Sequence, residues 1–214
     1  MQIERQGAYA RVLGLGRDGD VILDYLEPDS IASAAQKVAA VCRAKNLELR
    51  FLMVASGFLH GSQGQPERSL ANLDADYLQH VFAINTIGPA LVMKHFLPLL
   101  PKTGPCVASF ISARVGSIAD NALGGWYGYR ASKAALNQLV KTASIELTRR
   151  NKESICVALH PGTVDTALSR PFAKTGLKVR PADEAAADLL RVLHGLTPAD
   201  TGALIDYQGL TLPY

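Results

Sequence analysis

The 214-residue chain is short of most features that would place it in a specialised class. No apolar run reaches the roughly 18 residues of a membrane span, and the greasiest stretch, Gly88 to Leu100, is broken by Lys94 and His95. The opening carries Glu4, Arg5 and Gln6 where a secretory leader needs an apolar core, so a cytoplasmic location is expected. Cysteine is scarce. Cys42, Cys106 and Cys156 are odd in number and far apart, which excludes a disulfide framework or a zinc spacing and predicts reduced, buried thiols. Charge of one sign is lacking too: 22 Lys+Arg against 19 Asp+Glu leave +3, with only Arg149 and Arg150 adjacent. That leaves no nucleic-acid footprint. Repeats, low-complexity tracts and linkers are also missing, so residues 1–214 read as one domain with an atypical first 20.

What is there is a globular composition, 48% apolar and 19% charged. From residue 20 onward, β-like runs alternate with helical ones. Strands are expected at Val21–Tyr25, Leu49–Ala55, Val107–Ile111, Ile155–His160 and Ala203–Asp206. Helices are expected at Asp29–Lys45 (capped by Asp29 or Ser30), about Asp74–Leu100 with a bend at Gly88-Pro89, about Tyr127–Arg150, and Asp183–His194. The near-continuous apolar run 49–55 predicts a strand covered on both faces. This alternation predicts an α/β fold, a mostly parallel sheet wrapped on both sides. Leu136, Leu139, Val140, Ala143 and Leu147 give the helix at 127–150 a wide apolar stripe, which fits either a subunit interface or a deeply buried core helix.

Tyr129 and Lys133 are four apart and share a helix face. A phenol with a pKa near 10 is a poor acid–base at neutral pH, and a neighbouring ammonium would lower it. Alone the pair is weak, since such a spacing arises easily by chance. It has company. Tyr129-Arg130-Ala131-Ser132-Lys133-Ala134-Ala135, Phe82-Ala83-Ile84-Asn85-Thr86-Ile87-Gly88, Ile111-Ser112-Ala113-Arg114-Val115-Gly116-Ser117 and Pro161-Gly162-Thr163-Val164-Asp165-Thr166 stand in one order. Together they resemble the short-chain dehydrogenase/reductase family over about residues 10–214. The closing segment 202–209 and the terminal Leu-Pro-Tyr resemble its bacterial C-factor-like members.

The resemblance implies a Rossmann-like, doubly wound fold and hydride transfer between NADP or NAD and a small carbonyl or alcohol, in a homodimer or homotetramer. By it Tyr129 is the general acid–base, Lys133 tunes it and holds the ribose, and Asn85 anchors a water relay. Satisfying backbone at a helix irregularity is the alternative for Asn85. Pro161, Gly162, Val164 and Thr166 would border the nicotinamide, unless they merely form a strand-ending turn. Asp24 would touch the adenine, unless it is a plain strand-end residue, and Tyr25 and Gly57 would also bind the cofactor. Leu168–Arg180 would form a substrate lid, where Lys174, Lys178 and Arg180 suggest an anionic ligand or simply a solvated loop.

Two departures accompany the resemblance. Ala113 stands where the family has its catalytic serine, and losing one such donor costs about 10²–10³ in rate by analogy with other oxyanion sites. Ser112 or Ser117 would have to replace it, although Ser112 points to the opposite strand face. The second departure is the family's glycine turn between its first strand and helix, which takes the pyrophosphate. Gly14-Leu15-Gly16-Arg17-Asp18-Gly19 fits G-x-G-x-x-G literally, yet the strand-like 20–25 follows it rather than a helix. Asp18-Gly19 reads as a turn joining Arg11–Leu15 to Val21–Tyr25, predicted as an antiparallel hairpin because four residues are too few for a parallel crossover. About one βα unit is therefore missing compared with the family. Either Ala10–Gly16 moves into the gap, or another subunit completes the sheet, or a longer natural chain carries the turn. Arg17 could meet a 2′-phosphate, favouring NADP, or be a solvated turn residue. Intact Asn85, Tyr129 and Lys133 favour an oxidoreductase; Ala113 and the glycine departure favour an alternative, a cofactor-free binding or signalling relative.

Overall fold

The computed structural model describes residues 2–5, 7–172 and 179–214. Its elements run α1 (Gln2–Arg5), β1 (Leu15–Gly16), β2 (Val21–Ile22), α2 (Pro28–Lys45), β3 (Phe51–Val54), α3 (Ala75–Phe82), a π-turn (Ala83–Ile87) and α4 (Gly88–Phe96). They continue with β4 (Cys106–Ile111), α5 (Tyr127–Arg150), β5 (Ser154–His160), β6 (Thr163–Val164), β7 (Val179–Arg180), α6 (Ala182–Gly195), β8 (Leu204–Asp206) and β9 (Thr211–Leu212). The main sheet has the order β3-β4-β5-β8-β9, parallel except for the β8–β9 pair.

Two apolar layers sandwich this sheet. On one side Ile31, Ala34 and Val38 of α2, Val92 and Phe96 of α4, and Leu136, Val140 and Leu147 of α5 pack on Val54, Ala108, Phe110, Ala158 and Leu204. On the other, Leu189, Val192 and Leu193 of α6 cover Val157, Leu159 and Ile205. The fold is thus the expected Rossmann-like α/β, with its parallel strands nearly all apolar because both faces are covered. The stripe of α5 faces the core through Leu136, Val140 and Leu147, with Leu139 and Ala143 partly buried.

Coverage fails at β3. Phe51 and Met53 are only partly buried, as are Val107 and Ile111 beside them, because α6 does not reach that far. Tyr9 lies there instead, its ring 5.4 Å from that of Phe51. Among the described residues β3 pairs with β4 alone, so its outer edge carries no strand. Residues 10–16 do not move into that gap as a paired strand. Of these only Leu15–Gly16 is strand, and it forms a separate sheet in which β1 pairs with β2.

That pair corrects one expectation: β1 and β2 are parallel, Leu15 against Val21 and Gly16 against Ile22, not a hairpin. The rule against short parallel crossovers applies to strands of ordinary length. Here each strand is two residues long, so the chain need recoil only a few ångström. The turn closed by the Gly19 N–H on the Gly16 carbonyl does this. A side chain on Gly19 would meet the Gly14 carbonyl oxygen at 2.6 Å, so the recoil demands glycine. No helix follows the glycines before Pro28, and the Gly14 amide is taken by the Asp20 carboxylate at 2.8 Å.

Other differences are local. The N-cap of α2 is Glu27, without a side-chain cap bond, because Ser30 Oγ instead bridges the backbone N–H and C=O of Asp24. The 74–100 helix is interrupted by the π-turn. Cys106 and Cys156 are buried as expected, whereas Cys42 is only half-buried on the outer part of α2. No helix among the described residues is long and apolar enough to cross a membrane.

Gly88 opens α4 directly under Tyr25: a methyl there would come within 2.7 Å of Tyr25 Cβ and closer still to its ring. Gly88→Ala should therefore cost about 1–3 kcal/mol in urea unfolding, despite the usual preference of helices for alanine. A wild-type midpoint would show that the Tyr25 backbone is free to shift.

Candidate active site

Along the C-terminal ends of β3, β4 and β5 runs a cavity of about 1200 Å³, more than the roughly 300–1000 Å³ of ordinary ligand sites. It extends from Leu15, Gly16, Arg17, Asp24 and Tyr25, past Ser56 and Gly57, to Tyr129 and Lys133. Among the described residues no strand pairs with β3 on its edge away from β4. Of the residues singled out from the sequence, Asp24, Tyr25, Gly57, Ser112, Tyr129, Lys133, Pro161, Gly162, Val164 and Thr166 all line the cavity. Asn85 does not: it is fully buried just behind the wall.

Helix α5 brings Tyr129 and Lys133 onto the cavity, and close backbone approaches set its place. A side chain on Gly116 would meet Lys133 Cβ at 2.8 Å, so glycine lets the loop after β4 lie against the helix at the lysine itself. From the π-turn, Asn85 Nδ2 donates to Ser132 Oγ (3.1 Å) and Thr86 Oγ1 to the Ser132 carbonyl (2.9 Å). Asn85 also closes a two-way bridge to the backbone of Phe58, accepting from its N–H and donating to its C=O, each at 2.8 Å. Both Asn85 amide protons are therefore used, and one acceptor position on Oδ1 is left. A methyl on Gly57 would lie 3.7 Å from both Asn85 Oδ1 and Lys133 Nζ, so these two groups converge on the same spot. Asn85 thus satisfies backbone at the helix irregularity, with one acceptor position left near Lys133 Nζ.

The electrostatics differ from the simple expectation of an ammonium lowering its neighbour phenol. Burial pushes Tyr129 up to about 12 and Lys133 down to about 8. Lys133 Nζ donates to the Ile111 carbonyl at 2.9 Å and stands 5.9 Å from the centre of the Tyr129 ring. Desolvation outweighs the attraction because the ammonium is aimed at a carbonyl rather than the phenol. His160, at the end of β5, is likewise held down to about 4, chiefly by burial.

Ser112 is committed elsewhere. Its hydroxyl is buried and donates to Asn137 Oδ1 at 2.6 Å, while Ser117 Oγ accepts from the Asp120 N–H. Ala113 lines the cavity beside Ser112, whereas Ser117 does not line it. Gly162 takes φ +76°, and a side chain there would strike the Tyr207 ring at 3.0 Å. Its glycine is thus required by the fold itself. Tyr25 is fixed through its hydroxyl, which accepts from Ser56 Oγ at 2.7 Å. Arg17 is exposed at the far end. Arg180 is buried, paired with Asp188 and stacked 4.4 Å over Tyr207, while Lys174 and Lys178 of the expected lid lie outside the described residues.

Sequence reasoning missed an aromatic jaw over Tyr129. Gly124, Gly125 and Trp126 are all left-handed (φ +64°, +65° and 52°), and this turn swings the indole inward. Its ring centre lies 6.2 Å from Tyr129 and 5.1 Å from Phe172, and His60 meets Phe172 edge-on at 5.3 Å. The Gly-Gly before the chain's single tryptophan was the available signal.

Comparison with known proteins adds the family. A family model described as enoyl-(acyl carrier protein) reductase matches residues 16–205. The C-signal protein of Myxococcus xanthus is 38% identical over 143 residues, taking in 66% of this chain and 82% of that one. The 1-hydroxy-2-glutathionyl-2-methyl-3-butene dehydrogenase of Rhodococcus sp. (strain AD45) is 34% identical over 146 residues, 68% of this chain and 62% of that one. Among solved structures, the NADPH-bound carbonyl reductase from chicken fatty liver superposes with a TM-score of 0.77 at 30% identity, over 91% of this chain and 76% of that one. With its order of motifs, its parallel sheet and the Tyr129–Lys133 helix, the chain belongs to the short-chain dehydrogenase/reductase family of oxidoreductases.

Proposed function

We propose that this protein reduces the carbonyl group of a small, largely apolar compound with NADPH, Tyr129 delivering the proton. The observation that carries this reading is buried Tyr129, with Lys133 Nζ 5.9 Å from its ring centre, on one cavity that also holds the Pro161–Thr166 segment. The NADPH bound to the related carbonyl reductase supports the choice of cofactor.

The residues fit such a cofactor at its nicotinamide and ribose end. Gly57 leaves room beside Lys133 Nζ, and Pro161, Gly162, Val164 and Thr166 line the same wall. Lys133 would hold the ribose, Val164 and Thr166 the carboxamide, and Asp24 and Tyr25 the adenine end. The pyrophosphate end fits less well: no helix follows Gly14–Gly19 before Pro28, and Arg17 is the cation at hand. A bound nicotinamide would supply the hydride.

The chain's own part is the proton. With its pKa near 12, Tyr129 stays protonated at neutral pH and acts as the acid toward the carbonyl oxygen. Lys133, near 8, is largely an ammonium at neutral pH and stabilises the phenolate left behind. Asn85 Oδ1 keeps an acceptor position facing Lys133 Nζ, where a water can return the proton. Trp126, Phe172, Val115, Leu168 and Ala113 give the substrate end an apolar, partly aromatic lining. The charged groups near it, Arg114 with Asp120 and Arg170 with Asp165, are already paired.

Calorimetric titration with NADPH and NADH, followed by NADPH-dependent reduction of benzaldehyde, tests the reading. Micromolar NADPH binding with turnover is expected, and Tyr129→Phe should cut kcat by about 10²-fold or more while leaving cofactor affinity intact. Absence of binding at millimolar cofactor would favour the cofactor-free alternative that Ala113 raises.

Lys133 gives a second test by pH. Its folded pKa, near 8, lies below the unfolded value of 10.5, so between these values the unfolded chain holds the extra proton. Stability should therefore rise with pH across that window, and fall as pH drops back through 8. Lys133→Met should flatten this slope and raise stability at pH 7 by about 1–3 kcal/mol, the upper end being offset by the unpaired Ile111 carbonyl. The same variant should lose reductase activity. A Lys133→Met protein less stable than wild type at pH 7 would show that the lysine is not held against a desolvation cost.

A further inference from the structure

The first turn of α5 lacks an ordinary cap. Trp126, its N-cap residue, is left-handed and makes no side-chain cap bond. Ser, Thr, Asp or Asn would normally serve the free amides there. They are served instead by a residue far back in the chain. The Gly128 N–H lies 3.1 Å from each carboxylate oxygen of Glu67, and the Trp126 N–H donates to the Glu67 carbonyl. Glu67 is 2% exposed, and none of the ion pairs among the described residues includes it. A carboxylate buried without a cation is expensive. The N-terminal amides and dipole of a 24-residue helix are the compensation that the fold provides. The approach is close: a methyl on Gly128 would come within 2.9 Å of both Glu67 Oε1 and Leu78 Cδ2, so only glycine admits the acid.

We propose that Glu67 is a positioning residue for the reaction, a remote cap that fixes the first turn of α5 and with it the Tyr129 hydroxyl and the Trp126 ring. This rests on the reading of Tyr129 as the proton donor. Tyr129 follows Gly128 directly, so its Cα is placed by the turn that Glu67 holds. The rest of the helix is secured independently, by Gly116 at Lys133, by Asn85 and Thr86 at Ser132, and by Leu136, Val140 and Leu147 in the core. Loss of the cap therefore frays the turn carrying the phenol and leaves the lysine and the cavity wall in place. Glu67 does not line the cavity, so it acts through the helix and not on substrate.

The test compares Glu67→Ala and Glu67→Gln with wild type by amide hydrogen exchange along α5, by fluorescence of Trp126, the chain's single tryptophan, and by benzaldehyde reduction with NADPH. In Glu67→Ala we expect exchange about five- to tenfold faster at residues 127–130 alone, more quencher-accessible Trp126 emission, and kcat lowered about tenfold or more with the KM for NADPH within about twofold. Glu67→Gln, which keeps an oxygen for the Gly128 amide, should recover most of the loss. Wild-type exchange in the first turn, or equal acceleration through the whole of α5, would overturn the proposal. So would unchanged kcat alongside a frayed turn. If Glu67→Ala does not fold, Glu67→Asp, one methylene short of the amide, reads the same quantities. If the wild-type chain turns over no benzaldehyde, the reductase reading fails by itself, and exchange and fluorescence still decide whether Glu67 holds the turn.

Discussion

The placement of α5 is the constraint from which the active end of this protein follows. The helix has to bring a phenol and an ammonium to one cavity while packing so tightly that both are almost sealed from water. Close approaches at glycines let it do this. Gly116 lets the loop after β4 touch it at Lys133, and Gly128 lets a buried carboxylate touch it at its first turn. The π-turn at 83–87 then threads two side chains onto Ser132. Such irregular turns commonly mark functional sites, because they free side chains and backbone groups that a regular helix would use internally. The consequence is electrostatic. A lysine held in this place is desolvated, and the same burial that lowers its pKa raises that of Tyr129.

What was legible in the sequence was the part written in local spacing. Tyr129 and Lys133 lie one helical turn apart, and α5 begins and ends where its periodicity says, at Tyr127 and Arg150. The parallel strands β4, β5 and β8 are buried enough to read as apolar runs. The rest depends on partners distant in sequence. Nothing in Leu49–Ala55 tells that one face of β3 would go half-covered, since that depends on how far α6 extends. The parallel pairing of β1 and β2 defeats a rule derived from longer strands. The commitment of Ser112 to Asn137, 25 residues away, is equally invisible. Glu67 sits in a loop between two recognisable motifs, and its partner lies 61 residues on, so no periodicity could reveal it.

The two departures from the family pattern have different physical weight. The literal glycine motif at 14–19 is disqualified by its surroundings: short strands flank it, and its first amide is already satisfied by Asp20. This leaves the far end of the cavity open but gives it no ready anion cradle. Ala113 is a smaller change. It leaves a methyl on the cavity wall where the resemblance expects a serine, while the Ser112 hydroxyl is committed to Asn137 and Ser117 does not line the cavity.

A single remaining hydroxyl can still polarise a carbonyl if water is kept away. A hydrogen bond gains strength as the local dielectric falls, and an unshared donor in an apolar lining has no competitor. Trp126 meets Tyr129 edge-on and packs against Phe172, adding aromatic wall beside the phenol. Ala113, Val115 and Leu168 add apolar wall. Under the proposed carbonyl reduction, Ala113 and the jaw would act together, leaving Tyr129 as the one hydroxyl donor in a largely apolar lining. In that reading the orientation of the first turn of α5, and with it the Glu67 cap, would bear directly on the single donor.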